Sequence, residues 1–208
     1  MVSLDDVSVR IGATTILRRL DLTIAPGEVI GLFGGNGAGK TTLLRLLATE
    51  LVPAAGTATV LGVDLATGNR IDLRRHIGLV GHTPALYLEL TLAENIAFAA
   101  RVTGADPRLG DDVLAAVGLA EVADRRASQC SYGMQRRAEF ARELMLRPSL
   151  LLLDEPHSAL DAASVDLVGH VVDSVTAGGG AAVLVSHDRE RIEKLASRTV
   201  ELVGGRLT

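Results

Sequence analysis

One short segment of the sequence carries the residue types that bind phosphate. GGNGAGKTT fits the pattern G-x-x-x-x-G-K-[ST] and lies between an apolar run and a leucine-rich run. Glycines let consecutive backbone N–H groups converge on an anion, and a following helix adds partial positive charge at its N-terminus. The segment therefore predicts a phosphate site, the alternative being a structural turn before a helix. The predicted contacts are Gly34, Gly35, Asn36, Gly37, Ala38, Gly39, Lys40, Thr41 and Thr42.

Three side chains of this loop have different expected roles. Lys40 is expected to reach the β- and γ-phosphates of a nucleotide, and Thr41 to supply a hydroxyl ligand for Mg²⁺. Thr42 has two interpretations: it caps the helix or contacts the α-phosphate, or its role is purely structural. The loop thus predicts a magnesium–nucleotide complex as the ligand.

A second segment, LLLLDEP, places two acidic residues at the end of a buried apolar strand. In a sheet of parallel strands this end lies beside the phosphate loop, so Asp154 is expected to hold Mg²⁺ through water. Glu155 is placed to polarise an attacking water as a general base. The alternative is an exposed acid at a strand end.

Apolar patterns predict the strands and helices that would position these residues. Leu20, Leu22 and Ile24 alternate with polar residues as in a half-buried strand, and the run from Val29 to Phe33 indicates a strand buried on both faces. Strands alternating with helices predict an α/β fold with a mostly parallel sheet. Further strands are predicted at 77–80, 150–154 and 181–186, helices at 43–51 and 161–177, and a hairpin around Gly204 and Gly205.

The pattern changes between residues 84 and 146, where helical periodicity dominates and no strand is predicted. We therefore expect a helical subdomain inserted into an α/β core that is formed by residues 1–83 and 147–208. The 208 residues suffice for one domain with a sizeable core.

Composition excludes several classes of function. The net charge is −4 and the arginine pairs are scattered, which argues against a nucleic-acid partner. A single cysteine excludes an internal disulfide, and the first ten residues do not resemble a signal peptide, so a cytosolic location is expected. No apolar run approaches the length of about 18 residues that a spanning helix requires, so any membrane contact is expected to be peripheral.

Three further motifs complete a pattern. SYGMQRR begins at Ser131, HSALD ends at Asp161, and VSHD contains His187. Together with the phosphate loop and the acidic strand end, these motifs occur in an order and spacing that resemble the nucleotide-binding subunits of ABC transporters over essentially the whole chain. The resemblance implies a P-loop NTPase (RecA-like) core with N-terminal antiparallel β strands, and an ATPase that uses ATP and Mg²⁺.

The resemblance also implies an arrangement of two subunits. ATP would lie between two nucleotide-binding subunits arranged head to tail, with Ser131 and Gly133 of one reaching the γ-phosphate held by Lys40 of the other. Glu155 would activate water and His187 would hold the γ-phosphate. Asp161 would tie the two sites together. Integral membrane subunits would be the further partners, and the chain would lie peripherally on the cytoplasmic face of the membrane.

The sequence departs from the family pattern at several positions. His82 stands where the family has a glutamine that contacts Mg²⁺; it either takes over that contact or is a plain loop histidine, and Thr83 is the next candidate. Ile11 stands where an aromatic residue usually stacks on adenine, which replaces stacking by aliphatic contact. In the signature, Cys130, Tyr132 and Met134 replace the commoner Leu, Gly and Gln.

Loop residues near His82 resemble a subfamily, the haem-exporter ATPase of bacterial cytochrome c maturation. The resemblance rests on GH before Pro84, on the ELT..EN segment and on the spacing of residues after Ser131. Other ABC exporters, of drugs, lipids or polysaccharides, remain an alternative. A soluble ABC ATPase of another process and a regulator without turnover are further alternatives; the presence of Glu155 and His187 argues against the regulator.

Overall fold

The smaller of two sheets is antiparallel and comes from the N-terminal third of the chain. The computed structural model describes residues 1–158, 160 and 164–208. The sheet has the order β2-β1-β4-β5, and β1 pairs with both β2 and β4. This confirms the expected N-terminal antiparallel strands. The strands are β1 (Val2–Ile11), β2 (Thr14–Ile24), β4 (Ala55–Val60) and β5 (Val63–Asp64).

The larger sheet has six strands in the order β10-β9-β3-β8-β7-β6. Neighbouring strands are parallel from β9 to β6, and only β10 runs antiparallel to its neighbour. The predicted mostly parallel sheet is therefore confirmed. The strands are β3 (Val29–Gly34), β6 (Ile77–Val80), β7 (Leu150–Asp154), β8 (Ala181–Val185), β9 (Arg198–Val203) and β10 (Arg206–Leu207).

Helices cover both faces of this sheet. Among the described residues, no helix is both long and apolar enough to span a bilayer. Single 3-10 turns lie at Arg74–His76, Pro107–Leu109, Ala120–Val122 and Ala127–Gln129. The α-helices are α1 (Lys40–Leu47), α2 (Leu92–Thr103), α3 (Gly110–Ala116), α4 (Tyr132–Leu146), α5 (Asp166–Ala177) and α6 (Arg189–Leu195).

Consecutive leucines in β7 explain how a strand can be apolar on both faces. Leu150 and Leu152 pack into a cluster that contains residues of α1 and the antiparallel sheet. Leu151 and Leu153 pack into a second cluster, formed with α2, α4 and α5. Because successive side chains of a strand point to opposite faces, both layers of the core need apolar residues in the same strand.

Two elements differ from the predicted bounds. The helix predicted at 43–51 begins at Lys40 and ends at Leu47. It ends there because Thr49 has φ 63° and the N–H of Glu50 turns back to the carbonyl oxygen of Arg45 at 2.9 Å. The helix predicted at 161–177 begins at Asp166 in α5, and residues 161–163 lie outside the described residues. The sequence reasoning also missed the short strands β4 and β5.

Candidate active site

The carboxyl ends of four neighbouring strands converge on one edge of the larger sheet. In the order β3-β8-β7-β6, the strands lead respectively into the phosphate loop, His187, the Asp154–Glu155 pair and His82. Parallel strands place their carboxyl ends at the same edge, so residues far apart in sequence become neighbours. This edge forms a cleft of about 500 Å³. Its lining consists of Ile16, Asn36, Gly37, Ala38, Gly39, Lys40, Thr41, Thr42, His82, Asp154, Glu155 and His187.

Two glycines of the phosphate loop are required by its conformation. Gly34 has φ 151°, and a Cβ atom there would lie 2.4 Å from the carbonyl oxygen of Leu202. Gly39, the N-cap of α1, has φ 109°, and a Cβ there would lie 2.8 Å from Leu17 Cδ2. A side chain at either position would clash, so the loop needs glycine to wrap closely around the start of α1.

Lys40 and Thr41, at the start of α1, point into the loop and towards β7 respectively. Lys40 Nζ donates to the carbonyl oxygens of Gly34 at 2.8 Å and Gly35 at 3.1 Å. Thr41 Oγ1 donates to Asp154 Oδ2 at 3.2 Å. The ammonium group thus lies across the mouth of the loop, where anionic oxygens would meet it together with the N-terminus of α1.

Asp154 combines burial with neighbouring charge. Burial raises the pKa of its carboxyl group above the ordinary value, and the Glu155 carboxylate acts in the same direction, whereas the hydrogen bond from Thr41 opposes both. A bound cation would favour the ionised form of such a group. The Thr41 hydroxyl and the Asp154 carboxylate are both oxygen donors, which Mg²⁺ prefers.

The oxygen donors of Thr41 and Asp154 fit a Mg²⁺ ion that is also bound by phosphate. Among the described residues, no group of three or more His, Cys, Asp and Glu side chains could hold a metal ion alone. Mg²⁺ is usually held by one or two carboxylates together with substrate phosphates and water. Thr41 and Asp154 match that pattern, with the imidazole of His82 lining the same cleft.

Glu155 is held in an unusual conformation with one free oxygen. Its φ is 52°, which is uncommon for a residue with a side chain, and its N–H donates to the carbonyl oxygen of Val185 at 2.8 Å. Ser186 Oγ donates to Glu155 Oε2 at 3.0 Å. Within the described part of the chain, no hydrogen bond reaches the buried Oε1, which lies 3.5 Å from His187 Nε2. That oxygen is therefore the one whose acceptor capacity is unused.

Ser131 and Gly133 lie outside this cleft, in a separate depression of about 390 Å³ at the start of α4. Ser131 is the N-cap of α4, and its Oγ accepts the N–H of Met134 at 3.2 Å. Among the described residues of one chain, none lines both the depression and the cleft. Asp161, predicted to link two sites, lies outside the described residues.

Ile11 is a predicted site residue that the structure keeps out of the cleft. It ends β1 with 45% of its surface exposed, and Ile16 of β2 lines the cleft instead. A Cβ on Gly39 would lie 3.3 Å from Ile16 Cγ2, so Ile16 abuts the phosphate loop. Strand β2 is irregular beyond Ile16, at Arg19, which has φ 52°, and its register with β1 also shifts at Ile16 itself. These irregularities break the alternation from which the orientation of Ile16 could have been predicted.

Ser186 and Arg136 are two further residues that sequence reasoning missed. Ser186 stands directly before His187 at the end of β8, a position that already pointed to the cleft edge. Arg136 lies fully buried in α4 and donates to the carbonyl oxygens of Gly81 at 2.7 Å and His82 at 2.8 Å. Its signal was a charged stripe formed with Glu139 and Glu143, whose i, i+3, i+7 spacing puts all three on one helix face.

Similarity to known proteins shows the family to which the chain belongs. Residues 17–158 match the family described as ABC transporter. The Nod factor export ATP-binding protein I of Rhizobium etli is 34% identical over 99% of this chain, and the chain spans 66% of that protein. The cytochrome c biogenesis ATP-binding export protein CcmA of Rhodopseudomonas palustris is 39% identical over 85% of this chain and 86% of that protein.

A solved structure agrees over the whole fold. The dimeric structure of a post-hydrolysis state of an ATP-binding cassette, bound to ADP and phosphate, matches with a TM-score of 0.89 and 25% identity, covering 100% of this chain and 96% of that one. The shared fold includes the cleft edge described above, where the phosphate loop and the acidic strand end meet. The chain therefore belongs to the ABC transporter family and is an ATP-hydrolysing subunit of that family.

Proposed function

We propose that the chain drives export across the cytoplasmic membrane, bound peripherally at the cytoplasmic face to integral membrane subunits. The observation that carries the ATP-driven part of the proposal is the convergence of Lys40, Thr41, Asp154, Glu155 and His187 on one cleft edge. Relatives named for export support the direction. In this proposal residues 84–146 act as an inserted helical subdomain, and residues 1–83 and 147–208 as the nucleotide-binding core.

In the proposed reaction, the protein holds the triphosphate and places a base beside the attacking water. The loop amides and Lys40 bind the β- and γ-phosphates, and Ile16 offers an apolar contact to the nucleoside. Thr41 and Asp154 would hold Mg²⁺, with His82 as a third candidate, and the ion when bound neutralises charge that develops on the phosphate oxygens.

Glu155 supplies the proton acceptor. Its Oε1 takes a proton from the water as the water oxygen bonds to the γ-phosphorus, while the bond to the β-phosphate oxygen breaks and ADP leaves. Ser186 fixes the other carboxylate oxygen at 3.0 Å, so the acceptor is oriented before the reaction begins. His187, next to Oε1, would steady the γ-phosphate by donating a hydrogen bond.

A second nucleotide-binding subunit completes the site. The depression that contains Ser131 and Gly133 has a hydroxyl group and a helix N-terminus but no carboxylate among its described lining residues. In a head-to-tail dimer these groups would face the γ-phosphate held by the other subunit, and Asp161 would lie between the two sites. Closure of the dimer on ATP and its reopening after hydrolysis would be the motion passed to the membrane subunits.

We propose haem, exported for cytochrome c biogenesis, as the cargo. Two features support this: the Gly81-His82 and Pro84 loop with its ELT..EN continuation, and the 39% identity to a protein named for cytochrome c biogenesis. An exporter of another cargo, such as a drug, lipid or polysaccharide, is the second candidate, and the relative named for Nod factor export favours it.

Detergent extraction of membranes from the source organism tests the proposal. Purification of the tagged chain should recover hydrophobic integral subunits, and recovery of ribosomes or DNA alone would overturn the transporter role. The purified complex in lipid vesicles should then hydrolyse ATP faster when haemin is added. Stimulation by a lipid or polysaccharide but not by haemin would favour the second candidate.

A further inference from the structure

Helix α4 is tied to the loop of residues 81–85, here called the His82 loop, through the carbonyl oxygen of His82 itself. That oxygen accepts a hydrogen bond from Arg136 Nη2 at 2.8 Å and another from the hydroxyl of Tyr132. Arg136 Nη1 also donates to the carbonyl oxygen of Gly81 at 2.7 Å. The backbone that carries the His82 imidazole is therefore positioned by α4.

A buried ion pair prevents Arg136 from moving independently. Its side chain is 0% exposed and lies 3.0 Å from Glu139 Oε2, while Glu139 Oε1 accepts the N–H of Ala85 at 2.8 Å. The guanidinium also lies 5.8 Å from the centre of the Tyr132 ring. Both ends of the His82 loop are thus bound to adjacent turns of one helix, so that loop and helix move as one body.

Tyr132 lies between the His82 loop and the depression at the start of α4. It is the first residue of α4, directly after the N-cap Ser131, and 39% of its surface is exposed. Tyr132 and Ser131 line the same depression, whereas His82 lines the nucleotide cleft. The Tyr132 side chain therefore links His82, which faces the chain's own nucleotide cleft, to Ser131, which is proposed to face the nucleotide held by a second subunit.

We propose that Tyr132 is a positioning residue, which with Arg136 couples the position of His82 to that of Ser131. When His82 adjusts to bound ATP, its backbone carries α4 with it through the Tyr132 hydroxyl and the Arg136 guanidinium, and this aligns Ser131 for the partner's nucleotide. The inference rests on the proposed dimeric function. It assigns no contact with the reacting atoms to Tyr132.

Steady-state ATPase kinetics of Tyr132→Phe test the coupling, because the substitution removes only the hydroxyl. The expected result is a fall in kcat of about five-fold, the factor for one neutral hydrogen bond, with unchanged affinity of the separated chain for a fluorescent ATP analogue. Tyr87→Phe is the matched control, since Tyr87 is 58% exposed and its ring packs against Phe98. It should keep the wild-type kcat.

A double-mutant cycle separates coupling through His82 from a general loosening of α4. In a His82→Ala background, Tyr132→Phe should cause little further loss, because the side chain it positions is gone. The same five-fold loss in both backgrounds would overturn the proposal. Arg136→Lys, which keeps the charge but cannot reach two carbonyl oxygens as a fork, should lower kcat in the same His82-dependent way.

The outcomes separate this inference from the proposed function. An active wild-type chain with an unaffected Tyr132→Phe variant would overturn the coupling and leave the proposed function intact. A wild-type chain that neither binds nor hydrolyses ATP would overturn the proposed function, and the coupling with it.

Discussion

The nucleotide cleft and the depression at the start of α4 are held in place by different forces. The strands that deliver Asp154 and His187 are fixed by apolar side chains on both faces of the sheet. Helix α4 packs on the same apolar core, but it is tied to the His82 loop by charged groups, with Arg136 and Glu139 both fully buried. The apolar packing of a parallel sheet is enough to position catalytic groups at the strand ends. A helix end that is held against a loop needs directional contacts, here hydrogen bonds from charged groups.

The two regions also differ in chemistry. The cleft unites a base, a lysine and oxygen ligands, whereas the depression offers Ser131, Gly133 and a helix N-terminus. Neither region alone contains all the groups that the proposed reaction uses. The comparison predicts that substitutions in the cleft change chemistry with little effect on stability, and that substitutions of the charged groups beneath the depression lower stability in addition to any effect on kcat.

The largest effect is expected for Glu155→Gln. Losing the proton acceptor should lower kcat by about 100-fold to 10,000-fold while ATP binding persists, so a closed dimer should accumulate with ATP on gel filtration. Glu121→Gln, an exposed glutamate of residues 84–146, is the control and should keep the wild-type rate. Undiminished hydrolysis by Glu155→Gln would remove Glu155 from the role of base.

The next effect concerns stability beneath the depression. Arg136→Met leaves the buried Glu139 with Arg142, at 3.8 Å, as its remaining ion-pair partner. It should lower the free energy of unfolding by about 3 kcal/mol, the lower end of the range for breaking a buried pair, measured by urea denaturation. The double variant Arg136→Met with Glu139→Leu should recover much of that loss. Arg108→Met, which breaks the exposed pair with Asp106, should leave the urea midpoint unchanged. Equal effects of Arg136→Met and Arg108→Met would contradict the buried-pair account.

A smaller effect is expected on affinity in the cleft. Lys40→Met removes charged hydrogen bonds to phosphate and should raise the Kd for ATP by about 10-fold to 100-fold in a titration, with an unchanged unfolding midpoint in the absence of nucleotide. Lys194, the only other lysine, is exposed and pairs with Glu190 at 2.8 Å, so Lys194→Met is a matched control. A similar rise in Kd for both variants would show that the effect is not specific to the loop.

The smallest effect is expected in the helices of residues 84–146, away from either site. Thr91 caps α2 in a reciprocal pair with Glu94, at 3.0 and 2.8 Å. Thr91→Ala should cost about 1 kcal/mol in urea denaturation without changing kcat. Thr91→Ser keeps the capping oxygen and should behave as wild type; a loss equal to that of Thr91→Ala would show that the cap is not the cause.

Local patterns predicted the strands of the larger sheet well. Val29 to Phe33, Ile77 to Val80 and Leu150 to Asp154 are apolar runs whose burial on both faces leaves no other structure open to them. The phosphate loop was equally visible, because its glycines satisfy a local backbone requirement at Gly34 and Gly39. Such features depend on neighbouring residues and are therefore readable from sequence.

Features that depend on distant parts of the chain were missed. The irregularities of β2 near Ile16 and Arg19, which break the alternation of buried side chains, reflect how β1 and β2 pair. The hydrogen bonds from Tyr132 and Arg136 to the carbonyl oxygen of His82 join residues about fifty positions apart, so no local pattern in the sequence predicts them. The end of α1 at Leu47 depends on a threonine in a left-handed conformation, which propensity does not favour.

The central claim is that the cleft of one chain and the depression of another form one catalytic site, and mixing two inactive variants tests it directly. At an ATP concentration near the wild-type Kd, Lys40→Met and Ser131→Arg should each show little ATPase activity alone. Mixed in equal amounts, they should recover about a quarter of the wild-type rate, since about half of randomly formed dimers are mixed and each carries one complete site. Full activity of Ser131→Arg alone, or a mixture no faster than its components, would contradict the account.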